Sequence, residues 1–99
     1  MYIGIGKKVI VDYGADAFLL DIKINTIKFQ GIKGQWKGLV EQVNYTSIEI
    51  CPNVYMIYWR EKQNGSKVTQ IQNWNTMDIY SNIALNDDFF NLKGKIIYM

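Results

Sequence analysis

Val54-Tyr55-Met56-Ile57-Tyr58-Trp59-Arg60-Glu61-Lys62 is the stretch that decides the fold. It is dense in β-branched and aromatic residues, and Pro52-Asn53 and Asn64-Gly65 bound it, so it reads as a strand running into a hairpin turn. Two turn geometries, Gln63 opposite Ser66 or Lys62 opposite Lys67, predict one and the same register across that turn. Glu61 then opposes Val68, Trp59 opposes Gln70, Ile57 opposes Gln72 and Tyr55 opposes Trp74, with all eight side chains on one face. The other face carries Val54, Met56, Tyr58 and Arg60 against Thr69, Ile71 and Asn73. The first face mixes large rings with a carboxylate and two amides, the character of a ligand-holding lumen. The second is an exterior or a subunit interface.

Working outward, the same two-residue period recurs almost everywhere. Lys67–Trp74, Asp78–Leu85 and Phe89–Tyr98 follow as strands, separated by Asn75-Thr76 and Asn86-Asp87-Asp88. Upstream, Lys8–Asp12, Phe18–Ile24, Thr26–Phe29 and Leu39–Ile50 read the same way, punctuated by Gly14, Asn25, Gly31, Gly34 and Gly38. No window carries a sustained helical stripe, and Gly14 limits the Asp12–Leu20 segment to one helical turn. Short strands joined by tight turns without crossover helices must pair antiparallel. The expectation is an all-β, up-and-down antiparallel barrel of seven to eight strands, a single domain over residues 1–99. Carrying the alternation forward adds Met77, Ile79, Ser81 and Ile83 to the lumen face, then Leu85, with Phe90 and Leu92 across the next turn.

Composition narrows the chemistry. The 99 residues are 48% hydrophobic and 20% charged, ordinary for a globular domain, whereas 14% aromatics exceed what a small core needs and suit a lined cavity. The chain has no His, which removes the commonest general base and metal ligand. Its one Cys, Cys51, cannot form an internal disulfide or a paired metal site and reads as a small apolar filler. Eleven Lys and Arg against nine Asp and Glu leave a charge of +2, dispersed along the chain, which argues against a nucleic-acid footprint. The N-terminus lacks a signal-peptide pattern and no apolar run is long enough to span a bilayer, so the expected location is cytoplasmic, with no membrane partner. Asn44-Tyr45-Thr46 and Asn64-Gly65-Ser66 match the glycosylation pattern but are read as strand and turn chemistry.

Other motifs are discounted. Gly4-Ile5-Gly6 lacks the third glycine and the helix of a dinucleotide fingerprint, and Gly31, Gly34 and Gly38 lack a P-loop ending and mark bends instead. Asp87-Asp88 and Asp12 with Asp16 form no calcium-loop pattern, so no metal or other cofactor is expected. Tyr45, Tyr80 and Tyr98 read as barrel packing. Glu61 stands out: two places after Trp59, it shares that ring's face, where a half-closed cavity would raise its pKa and prepare it to exchange a proton. The competing reading leaves Glu61 at a strand end in water, beside a lysine.

Val54–Lys62, Val68-Thr69-Gln70-Ile71-Gln72-Asn73, Tyr80-Ser81-Asn82-Ile83 and Asn91-Leu92-Lys93-Gly94 together resemble the small MoaF-like proteins, which are similar in turn to bacterial phenolic acid decarboxylases. The resemblance covers most of the chain and implies a lipocalin-like (calycin) barrel with a central cavity. It implies that Trp59-Arg60-Glu61 matches the decarboxylases' Trp-x-Glu element, so that Glu61 stands at the catalytic position. One substrate-holding tyrosine falls on Tyr13. Its partner position is Val11, and the arginine before a tryptophan is replaced by Gln35 ahead of Trp36, departures that weigh against decarboxylation.

Three functional classes follow. The first is a small-molecule binder, with Tyr55, Trp59, Trp74 and Trp36 as walls and Gln70, Gln72, Gln35 and Glu61 as orienting groups. The second is a cofactor-independent lyase or isomerase in which Glu61 and Tyr13 transfer a proton. A third, a small barrel stacking single-stranded nucleic acid on its rings, is disfavoured by the weak charge. A homodimer through Tyr58 and Met56 would cover one exposed apolar face.

Overall fold

The computed structural model describes every residue from Met1 to Met99 and contains no helix. Nine strands form it: β1 (Lys8–Asp12), β2 (Ala17–Ile22), β3 (Thr26–Lys33), β4 (Val40–Asn44), β5 (Thr46–Cys51), β6 (Val54–Arg60), β7 (Lys67–Asn73), β8 (Asp78–Leu85) and β9 (Asp88–Tyr98). They make one sheet in the order β4-β3-β2-β1-β9-β8-β7-β6-β5, with every pairing antiparallel. Two meanders, β1–β4 and β5–β9, are thus joined side by side through β1 and β9, and the sheet curls into a nearly closed up-and-down barrel.

The strand count exceeds the expected seven to eight for one reason. Leu39–Ile50 reads as a single run but is two strands, because the chain changes partners at Tyr45: β4 pairs with β3, and β5 pairs with β6. That change of partner is how a strand turns a barrel corner. It leaves one seam in the hydrogen-bonded wall, and side chains staple it. Glu41, buried on β4, accepts from the backbone N–H of Lys62 at 2.7 Å and of Gln63 at 3.4 Å. The Gln63 amide donates back to the Val40 carbonyl at 2.6 Å.

Alternation places the core. Val9, Val11, Leu20, Ile22, Ile27, Ile57 and Ile79 are each at most 1% exposed and face one another across the lumen. The helical turn anticipated after Asp12 is instead a tight turn, in which Tyr13 N–H donates to the Asp16 carbonyl and Asp12 Oδ1 accepts from Gly14 N–H. The β6–β7 register differs from expectation: Trp59 pairs with Val68, Ile57 with Gln70, Tyr55 with Gln72 and Arg60 with Lys67. The loop is Lys62–Gly65, closed by Gly65 N–H on the Glu61 carbonyl and Glu61 N–H on the Ser66 carbonyl, with Gly65 at φ +75°. Ser66 closes the loop through its carbonyl, and β7 begins at Lys67. The slip is two residues, so each side chain keeps its predicted face.

Cys51 is exposed rather than a core filler, because β5 is an edge strand with little against its outer side. Tyr80 and Tyr98 are likewise exposed, at 46% and 57%: Tyr80 points outward between Ile79 and Ser81, and Tyr98, opposite Val9, sits at the rim of the barrel mouth. Tyr45 packs, donating its hydroxyl to the Lys23 carbonyl at 2.6 Å, and the Tyr98 ring lies 6.2 Å from Trp74.

Candidate functional site

The inward face of β6 runs Tyr55, Ile57, Trp59, and the chain continues to Glu61, all buried. At about 3.3 Å per residue, Tyr55 and Glu61 lie about 20 Å apart along the strand. They therefore belong to opposite ends of the barrel, and the residues predicted as one site divide between those ends.

The end at Tyr55 is closed. Tyr2, in the turn before β1, enters the lumen and is 5% exposed. Its ring meets Tyr55 edge-on at 5.0 Å and Tyr45 at 5.8 Å, and its hydroxyl donates to Gln72 Oε1. Burial pushes the Tyr2 phenol far above the ordinary tyrosine range, so it stays protonated. Trp74 Nε1 donates to the same Gln72 oxygen at 3.1 Å, and the Tyr55 hydroxyl donates to the Met1 carbonyl at 3.0 Å. Tyr55, Gln72 and Trp74 thus stand with the N-terminal plug and line no cavity. Nothing in the strand alternation could have revealed Tyr2, because it lies outside every strand.

The other end encloses a cavity of about 30 Å³ whose walls include Tyr13, Phe18, Phe29, Trp59, Val68 and Ile83, with Glu61, Gln70 and Ser81 as its polar members. That volume holds a water molecule or two, far below the several hundred Å³ of a typical ligand pocket. The Trp59 ring stacks on Phe29 with centroids 6.1 Å apart, which fixes its edge toward Glu61. Trp59 Nε1 donates to Glu61 Oε2 at 3.2 Å. Burial raises the Glu61 carboxyl above the usual carboxylate range; the indole N–H opposes that shift, and the nearby Glu41 adds to it. Across the cavity the Tyr13 hydroxyl meets Ser81 Oγ at 2.5 Å and accepts from Gln70 Nε2 at 3.4 Å. Burial pushes the Tyr13 phenol up to about 12. Ser81 was legible as a lumen position but not as Tyr13's partner, which only the closure of β8 and β9 onto β1 brings about.

A loop roofs this end. Lys33–Leu39 leaves the barrel after a bulge opposite Ala17 and Phe18, and it lays Trp36 over Phe18 at 5.8 Å and Phe90 at 5.9 Å. Gly31 permits this crossing: a Cβ there would stand 1.8 Å from the Trp36 carbonyl oxygen. Buried Asp16 anchors the loop by accepting from Gln35 N–H at 3.0 Å. Gln35 is itself exposed, so it contributes its backbone and not a lumen amide. Half-buried Trp36 covers a second cavity of about 20 Å³, which shares Phe18, Glu61 and Ile83 with the first.

Comparison with known proteins places this geometry. A crystal structure from Burkholderia vietnamiensis, described as that of a candidate beta-lactamase, superposes with a TM-score of 0.92 at 21% identity, covering 98% of this chain and 96% of the other. At that identity the likeness is one of fold. No curated protein sequence matches the chain. The family model for MoaF-like proteins, however, matches residues 5–97, from the turn before β1 to the end of β9, and the chain therefore belongs to the MoaF-like family.

Proposed function

We propose that this MoaF-like protein is a lipocalin-like barrel that binds a small, largely apolar or aromatic molecule at its Trp59–Glu61 end. One observation carries the reading. Tyr13, Gln70, Ser81 and Glu61 converge on one cavity otherwise lined by rings and aliphatic side chains, the pattern of apolar walls with a few placed polar groups. The cavity is small in this structure, and binding requires the Trp36 loop to move so that the two cavities beside Phe18 merge. Native mass spectrometry of the purified chain tests the reading: a retained small molecule, lost on Trp59→Ala, supports it, and a bare chain that takes up no aromatic probe overturns it.

A second reading, a lyase or isomerase without a cofactor, is favoured by Glu61 and Tyr13 sharing that cavity with both protonated forms stabilised by burial. Glu61→Gln separates the two: a binder keeps most of its affinity, while an enzyme loses turnover and still binds. The beta-lactamase description stays with the Burkholderia protein, since this chain has neither His nor a Ser-x-x-Lys motif. No nucleic-acid partner is proposed, because most of the rings that could stack bases point inward. Homodimerisation through the outer face of β5 and β6 is supported by Ile48 and Tyr58, 46% and 40% exposed, flanking Met56. No helix is long and apolar enough to cross a membrane. A cytoplasmic location belongs to the same proposal, and the exposed, unpaired thiol of Cys51 suits it.

A further inference from the structure

The two ends of the barrel are joined by a ladder of hydrogen bonds through the lumen, and the ladder has a direction. An indole N–H can only donate, so Trp74 fixes which atom of the Gln72 amide faces it: the oxygen. The Gln72 nitrogen must then point the other way, and it donates to Gln70 Oε1 at 2.9 Å. That in turn aims the Gln70 nitrogen at the Tyr13 hydroxyl. Tyr13 and Ser81 share a single hydrogen bond, in which either can be the donor. Two hydroxyl hydrogens and one bond between them leave one hydrogen without a protein acceptor, at the cavity wall. Were the ladder reversed, Gln70 Oε1 would accept from Tyr13, Ser81 would donate to Tyr13, and no hydrogen would be left over.

We infer that Trp74, through Gln72 and Gln70, sets this wall of the cavity as a hydrogen-bond donor, so that the site selects ligands presenting an acceptor oxygen to Tyr13 and Ser81. The inference deepens the binding reading above and rests on it. Trp74 is a positioning residue here: it touches no ligand and acts from the opposite end of the barrel. The selectivity follows from the cost of leaving a buried donor unmatched, which an oxygen-bearing ligand avoids and a hydrocarbon of the same shape does not.

The test compares acetophenone with α-methylstyrene, which replaces the carbonyl oxygen by a methylene of similar shape, by NMR titration of the wild-type chain, Trp74→Phe and Gln70→Met. Trp74→Phe keeps most of the ring and removes the one partner of Gln72 Oε1 that can only donate; the Tyr2 hydroxyl left beside it can donate or accept, so the Gln72 amide is free to turn. Gln70→Met keeps bulk and cuts the ladder. The expected result is a ketone-to-hydrocarbon affinity ratio at least fivefold higher in the wild type than in either variant. A ratio unchanged within twofold in a folded variant overturns the proposal while leaving cavity binding intact. If neither probe binds the wild type, the binding reading falls and takes this one with it. Should neither variant fold, side-chain amide NOEs in the wild type decide: Gln72 NH₂ hydrogens close to Gln70 and Gln70 NH₂ hydrogens close to Tyr13 support the ladder, and the reverse arrangement overturns it.

Discussion

The two ends of this barrel are built from the same residue types and behave differently. At one end Tyr2, Tyr55 and Trp74 spend their polar atoms on one another, on Gln72 and on the chain terminus, and their rings fill the lumen. At the other, Trp59, Tyr13 and Glu61 surround a space, with Glu61 held by one indole N–H and a hydroxyl pair holding a spare hydrogen. The difference teaches that an aromatic and an amide on an inward face do not by themselves make a site. What matters is whether a neighbouring segment supplies the missing partner, as Tyr2 does at the closed end.

If that contrast holds, the closed end should carry the stability. Trp74→Ala removes a 7%-exposed indole from the plug and should cost about 3–5 kcal/mol in urea unfolding; a loss near zero would mean the plug is not docked in solution. Tyr2→Phe keeps the ring and removes one hydroxyl bond, while Trp74 still satisfies Gln72 Oε1, so about 1 kcal/mol should be lost. Trp36→Ala, on the half-exposed roof of the open end, should cost less than about 1 kcal/mol and should speed amide exchange around Phe18 without affecting Tyr55. The smallest effect is a matter of pH. A carboxyl whose folded pKa lies above its unfolded value contributes stability at low pH that is lost as pH rises through the folded pKa. Glu61→Gln should therefore gain in melting temperature relative to the wild type on going from pH 4 to pH 8. A difference that stays flat over that interval would place Glu61 in water.

Much of the open end was legible. Two-residue spacing put Glu61 on the face of Trp59, against the competing reading of a solvated strand end, and each is 7% exposed. Gln35 was misplaced for a reason alternation cannot supply: it sits in a loop, where no pleat fixes side-chain direction. Tyr55, Trp74 and Gln72 were assigned to the correct face but grouped with the wrong neighbours, because a face is a property of a strand and an end is a property of the closed barrel. Tyr13 gained Ser81, distant in sequence, only through the pairing of β1 with β9 and β9 with β8.

The amino-acid order alone settled the antiparallel all-β class and the inward set on β6, β7 and β8, since the pleat has a period of two and a register slip of two residues leaves every side chain on its face. It did not settle the register itself, which the four-residue Lys62–Gly65 loop set, nor the change of partner at Tyr45. Nor did it settle which end would be sealed. Those outcomes depend on contacts between segments far apart in sequence, and only the closure of β9 on β1 brings such segments together, with Tyr2 in one mouth of the barrel and Trp36 across the other.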